Sequence, residues 1–281
     1  MNGRFQQGHN LPCITSVTPT ICKLMGIDPP VVSDPDCLND VIQAAGRQGV
    51  EKVDRCLIYA PDAVGLKMYQ NFRSLFDAVL THAPIVVPLS SVIPPITPVC
   101  FASMFTGAQP RIHGIQKKEK PVLTCDTIFD AFIRAEKKVV IVSVKEQSID
   151  LIFRERKIQY FSELDDQAVT RRTIEVIKSD SYDFIVVYHC EYDDILHEMT
   201  PFCSEAIHAL KNHIHAFDQF AKTVDTYWRG YNRMIWFAPD HGAHIDPQRS
   251  KGIHGDNIPE DMQVQHYIGI KPAKNDVPKP N

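Results

Sequence analysis

The chain has 281 residues, 44% of them hydrophobic and 23% charged, and a formal net charge of −4. This is the balance of an ordinary globular protein with a buried core, and it leaves no electrostatic case for a nucleic-acid polymer or an anionic membrane as partner. A phosphorylated ligand would have to find positive charge locally, from metal ions or a few lysines. The eight cysteines (Cys13, Cys22, Cys37, Cys56, Cys100, Cys125, Cys190 and Cys203) are irregularly spaced and form no C-x-x-C pair, so neither a zinc nor a redox motif is indicated. The polar start MNGRFQQGHNLP shows no signal peptide, no stretch approaches a membrane span, and a reduced, cytoplasmic protein is expected.

Along the chain, short apolar runs alternate with amphipathic segments. CLIYAPDAVG (56–65), APIVVPL (83–89), KKVVIVSV (137–144), DFIVVYHC (183–190) and RMIWFAPDHG (233–242) are continuous Val/Ile-rich runs with polar ends. Continuous apolarity suits strands covered on both faces, as in a mostly parallel sheet. Helices are expected over 126–137, 165–179 and 204–229, and a small hairpin excursion over 150–162. The tail KPAKNDVPKPN reads as frayed. Strand–helix alternation without repeats or linkers predicts one α/β domain over 1–281.

In such sheets, sites form at the carboxyl ends of strands. Asp62 follows the first run, Asp193 and His197 follow the fourth, Asp240 and His241 end the fifth, and His254 lies in GIHGDN (252–257). Three carboxylates and three imidazoles can supply two adjacent divalent sites, and residues four apart share a helix face. Each residue taken singly also has a use in a turn or cap. Thr97 is preceded by Pro94-Pro95 and followed by Pro98, which predicts a helix start. Its hydroxyl can serve as an N-cap or, at an anion-binding helix terminus, as a nucleophile.

The order and internal spacing of these pieces resemble the alkaline phosphatase superfamily, nearest its nucleotide pyrophosphatase/phosphodiesterase branch. TPVCFASMFTGAQPRIHGI (97–115) resembles the nucleophile motif, with Thr97 nine residues before Thr106-Gly107 and Pro110, His113 and Gly114 following. YAPDAVG (59–65) matches the early metal Asp, YDDILHEMTP (192–201) the D-x-x-x-H motif with Thr200 in place of its Gly, APDHGAH (238–244) the D-H-G, and GIHGDN the late G-x-H-G. The resemblance implies a three-layer sandwich with a mostly parallel central sheet and little or no cap domain. It assigns Asp62, Thr97, Asp240 and His241 to one metal ion and Asp193, His197 and His254 to the other. Asp193 rather than Asp194 keeps the four-residue spacing to His197. Zinc is the expected metal, although the mixed Asp/His set alone also accepts manganese or iron.

The activity implied is hydrolysis of a small-molecule phosphate ester through a phosphothreonine on Thr97, with a phosphomonoesterase, a phosphonate-bond hydrolase, a phosphomutase and a non-catalytic binder as alternatives. Thr rather than Cys at position 97 argues against a sulfatase. Where the phosphodiesterase branch has an Asn after H-G-I, HGIQKKEKP (113–121) offers Lys117 or Lys118, and a lysine there would favour a dianionic, terminal phosphate. His113 is expected to order the loop after the nucleophile helix. His189, His244 and His266 are read as structural, and His208, His213 and His215 as a surface or half-buried helix face.

Overall fold

The computed structural model describes residues 11–274; the start Met1–Asn10 and the last residues of the tail, 275–281, lie outside it. Nine strands occur among the described residues: β1 (Arg55–Pro61), β2 (Ile85–Ser90), β3 (Val139–Val144), β4 (Gln159–Glu163), β5 (Phe184–His189), β6 (Arg233–Phe237), β7 (His244–Asp246), β8 (Lys251–Ile253) and β9 (Gln263–Lys271). Seven of them form the central sheet in the order β2-β9-β6-β1-β5-β3-β4, while β7 and β8 pair as a separate hairpin. The pairings β6-β1, β1-β5, β5-β3 and β3-β4 are parallel, and β9 runs antiparallel to both β6 and β2. Every residue of β3, β5 and β6 is buried, as continuous apolar runs require.

Helices cover both faces. On one, Tyr59 of β1 packs on Phe217 and Phe220 of the helix Ser204–Tyr227. On the other, Tyr188 of β5 meets Phe101 edge-to-face at 5.4 Å in the helix Thr97–Thr106. The result is the expected three-layer α/β sandwich. Between His113 and Asp193, the described residues contribute β3, β4, β5 and the helices Ile128–Arg134, Ser148–Ile152 and Asp166–Ser179. That interval is core, with no cap layer among the described residues. No helix among them is long and apolar enough to cross a membrane.

Two expectations are corrected. Residues 150–162 do not form a hairpin: they continue the helix Ser148–Ile152 and then supply β4, an edge strand parallel to β3. The buried Asp150 holds this connection, because its carboxylate accepts from Arg154, Ser162 Oγ and the Glu146 amide. Nor is the whole tail from Lys271 frayed, since Lys271 ends β9 and its Nζ lies 2.6 Å from Asp225 Oδ2.

β9 has no counterpart in the apolar runs. Its buried positions include Gln265 and His266, which break the hydrophobic pattern but are satisfied locally. His266 accepts at Nδ1 from Trp236 Nε1 (3.1 Å) and donates from Nε2 to Pro239 O (2.7 Å), tying β9 to the start of the Asp240 loop. Burial pulls the His266 pKa from 6.5 down to about 4. The unfolded chain therefore binds a proton between those values that the folded chain refuses. Stability is full above about pH 6.5 and falls as pH drops towards 4. Urea titrations should show the wild type losing about 2 kcal/mol more than His266→Gln between pH 7 and pH 5; equal losses would show that His266 is not held neutral.

Candidate active site

Asp62 follows β1 directly, and its amide bonds to His189 O of β5 at 3.0 Å. Asp240 and His241 follow β6, and the two loops meet where Ala63 N donates to Asp240 Oδ1 at 3.2 Å. Ser91, just beyond β2, donates to Asp240 O at 2.8 Å. The approach is close enough to demand glycine on both loops, because a Cβ on Gly65 would lie 2.5 Å from Gly242 Cα. The parallel strands thus deliver Asp62, Asp240 and His241 to one buried point at their carboxyl edge.

Thr97 is the first residue of its helix. The cap position belongs to Ile96, in extended conformation (φ −133°, ψ 143°), and no side chain caps the helix. The N-cap use of Thr97 is therefore corrected: its hydroxyl is not engaged by the helix amides. Instead, Oγ1 donates to Asp62 Oδ1 (3.3 Å) and lies 3.2 Å from His241 Nε2. His241 Nε2 is in turn 3.4 Å from Asp62 Oδ1 and 3.3 Å from Asp240 Oδ2.

Asp193 and His197 lie one turn apart on the helix Glu191–Glu198, 3.5 Å between Oδ2 and Nε2. His254, just past β8, brings its Nε2 within 3.4 Å of Asp193 Oδ1 and 3.1 Å of His197 Nε2. Asp194 points elsewhere, being exposed and 3.4 Å from Cys190 Sγ. The two triads adjoin, since the rings of His241 and His254 stack at 4.0 Å.

The hydrogen-bond pattern separates the candidate ligand imidazoles from the packed ones. His197 Nδ1 faces Gly252 O (3.1 Å), His241 Nδ1 faces Gly242 O (3.0 Å) and His254 Nδ1 faces Pro95 O (3.0 Å). A carbonyl only accepts, so each Nδ1 donates to it and Nε2 is the nitrogen that each ring turns to the cluster. Asp193 Oδ1 and Asp240 Oδ2 are buried and make no aligned hydrogen bond among the described residues. Such an array of converging acceptors calls for cations.

The electrostatics agree. Burial, reinforced by Asp193, pushes the Asp62 carboxyl well above its ordinary range; burial, then Asp62, does the same to Asp240. Burial pulls His254 down, yet the adjoining Asp193 carboxylate outweighs it and leaves the imidazole raised, with Asp193 correspondingly lowered despite its own burial. The field that holds a proton on His254 would equally hold a divalent ion. The residues fit two such ions, in the groups Asp62/Asp240/His241 and Asp193/His197/His254, whose ligand atoms lie within 4.8 Å of one another in each group.

A third group, Asp166/His189/His213, beside a cavity of about 250 Å³, fails the same test. His213 Nε2 accepts from Tyr192 N (3.3 Å), while the nitrogens of His189 are taken by Tyr59 OH (2.9 Å) and Thr170 Oγ1 (3.3 Å). No imidazole lone pair is left for a metal. Burial pulls His189 and His213 to about 3 and about 4, as neutral packed rings require. His213 is thus neither on the surface nor half-buried, unlike exposed His208 and His215; it is fully buried. Its task is positional: with Asp166, which accepts from Cys190 N and Glu191 N at 3.0 Å each, it caps the helix that carries Asp193 and His197.

His113 orders its loop as expected, its Nε2 2.8 Å from Ser103 Oγ and its Nδ1 accepting from Ile115 N at 3.2 Å. Lys117 and Lys118 are not brought to the cluster. Both are exposed, and Lys117 Nζ pairs with Glu119 at 2.7 Å. Sequence reasoning missed Tyr188, whose hydroxyl donates to Asp62 Oδ2 at 2.5 Å and turns Oδ1 towards Thr97. Within the run FIVVYH nothing marks it as other than a core tyrosine.

No family model matches the sequence, and no curated protein does. The fold does have solved counterparts. Phosphonoacetate hydrolase from Sinorhizobium meliloti 1021, in complex with phosphonoformate, superposes with a TM-score of 0.51 at 18% identity over 70% of this chain. An inactive murine ectonucleotide pyrophosphatase/phosphodiesterase 5 in complex with AMP gives 0.55 at 14% identity over 69%. The C-terminal periplasmic domain of EcEptC from Escherichia coli, in complex with Zn, gives 0.52 at 12% over 79% of this chain and 73% of its own. The chain spans only 59% of the length of each of the first two. The likeness is one of fold.

The division of labour between the neighbouring carboxylates is testable. Asp193→Asn should weaken zinc uptake by the second triad by at least about tenfold, whereas Asp194→Asn should change it by less than about threefold. Competition against a chromophoric chelator measures both, and the opposite order would reassign the ligand.

Proposed function

We propose that this chain is a metal-dependent hydrolase of phosphate esters that works through a phosphothreonine on Thr97. The observation that carries the reading is the convergence on Thr97 Oγ1: a hydroxyl not engaged in capping, 3.3 Å from Asp62 Oδ1 and 3.2 Å from the unprotonated Nε2 of His241. Supporting it are the second triad next door and the solved structures of the same fold, among them proteins described with phosphonoformate, AMP and zinc.

In this mechanism Thr97, nearly buried at the helix N-terminus, presents its oxygen to phosphorus while its proton is directed at Asp62 Oδ1. The Oγ1–P bond forms as the bond from phosphorus to the leaving oxygen breaks, and the departing oxygen takes up a proton. Water then attacks phosphorus, the P–Oγ1 bond breaks, and Thr97 regains its proton as phosphate or a phosphate monoester leaves. Divalent ions held by the two triads, zinc by preference, would lower the pKa of the hydroxyl and neutralise charge developing on the phosphoryl oxygens. Tyr188 keeps Asp62 aimed throughout.

A phosphodiester is the favoured substrate class. The case for a terminal, dianionic phosphate rested on Lys117 or Lys118, and the pairing of Lys117 with Glu119 in an exposed loop removes most of its support. A phosphonate is the second reading, favoured by the phosphonoacetate hydrolase among the matched structures. Zinc-loaded protein should be assayed with a diester, a monoester and a phosphonate of one chromogenic leaving group. Thr97→Ala should lose at least about a thousandfold in kcat/KM while keeping its metal content. Near-normal turnover by that variant would move the nucleophile elsewhere, and no turnover by the wild type on any of the three would leave a binding protein.

A further inference from the structure

One buried carboxylate outside both triads touches the chain segments that carry them. Asp261, in the short helix Pro259–Met262, is completely buried. Its Oδ2 accepts from the amides of Gly255 and Asp256, both at 2.9 Å, immediately after His254. Its Oδ1 lies 2.8 Å from Nδ1 of His244, which belongs to the loop that has just supplied Asp240 and His241. Its own carbonyl accepts from Gly242 N at 2.8 Å. The Gly255 backbone has φ +123°, a conformation open essentially to glycine alone, so the turn after His254 needs an outside partner to fix it.

We infer that Asp261 is a positioning residue that clamps the His254 turn to the Asp240–His241 loop and so sets the separation of the two metal sites. The inference rests on the two-ion reading above. The two loops belong to different sites and flank the β7-β8 hairpin, and the contacts of Asp261 reach both. A carboxylate suits the task because it accepts on both oxygens, which lets one side chain bind two backbone amides and an imidazole at once. It also leaves the imidazole of His244 as the donor, in the way a carboxylate behind a metal-bound histidine fixes its tautomer. With the clamp removed, the His254 turn loses both of its amide partners, whereas Gly242 keeps its bond to the main-chain carbonyl of residue 261. The second site, which depends on His254, should therefore weaken more than the first.

The test is zinc titration of the metal-stripped full chain against a chromophoric chelator, with cobalt substitution to read ligand geometry from its d–d absorption. Asp261→Ala should lose about 10- to 100-fold in affinity for one of the two ions, keep the other within about threefold, and perturb one cobalt spectrum. Asp261→Asn retains an oxygen for the two amides and should recover most of the loss. Asp130→Asn, at a helix cap formed with Thr127, controls for general loosening and should leave both affinities unchanged. Unchanged affinities in Asp261→Ala, or equal weakening at both sites, would overturn the clamp. If Asp261→Ala does not fold, His244→Ala decides: about three- to tenfold weakening of one ion supports the clamp, and no change overturns it. A wild type that takes up no zinc fails the two-ion reading itself, an outcome distinct from two bound ions that ignore Asp261.

Discussion

Burying three carboxylates beside three imidazoles whose Nδ1–H groups all point away is the constraint around which this protein is built. Asp62, Asp193 and Asp240 each lose most of their water, and their charges raise or oppose one another. An arrangement of that kind is unfavourable without compensating positive charge, because desolvating a carboxylate costs several kcal/mol even after relaxation. Cations held by the same groups would offset that cost, and holding them needs ligand atoms kept in place by neighbouring residues.

The fold supplies that placement in layers. Parallel strands bring β1, β5 and β6 to a common edge, so residues distant in sequence emerge side by side. Packing between Tyr59 and Phe217 on one face and Tyr188 and Phe101 on the other fixes the helices over the sheet. A set of buried or half-buried polar side chains then aims the candidate ligands: Tyr188 on Asp62, Asp166 and His213 on the helix of Asp193 and His197, Ser91 on Asp240, and Asp261 between the last two loops. None of these is free to be replaced by an apolar residue of similar size, since each would leave a buried amide, carbonyl or carboxylate short of a partner.

The histidines show how one residue type divides by environment. His197, His241 and His254 donate from Nδ1 to backbone carbonyls and turn Nε2 to the cluster. His189, His213 and His266 spend both nitrogens, or the accepting one, on protein partners and sit as neutral rings well below their ordinary pKa. Burial does not separate the two sets, since His241 and His266 are equally buried. What Nε2 meets does: a protein partner outside the triads in the packed set, the cluster in the other.

The sequence by itself determined the architecture, because continuous Val/Ile runs such as FIVVYH can only be satisfied in strands covered on both faces, and polar residues at their ends then fall at one edge. It also carried the candidate ligands, since Asp193 keeps the four-residue spacing to His197 that Asp194 does not. The five long apolar runs are five of the seven sheet strands. What it left out follows from how local its signals are. β9 was hidden because Gln265 and His266 are polar yet buried, and only the contacts of His266 with Trp236 and Pro239 make that acceptable. β4 was read as a hairpin because nothing short of Asp150's contacts distinguishes an edge strand from a turn-back. The tertiary structure alone decided that Thr97 faces Asp62 rather than its own helix, that His213 caps rather than coats a helix, and that Lys117 pairs with Glu119 in solvent. Each is a matter of which partner a side chain meets across 21 or more residues, or which of two nearby partners wins, and such pairings are set by chain packing that no local pattern encodes.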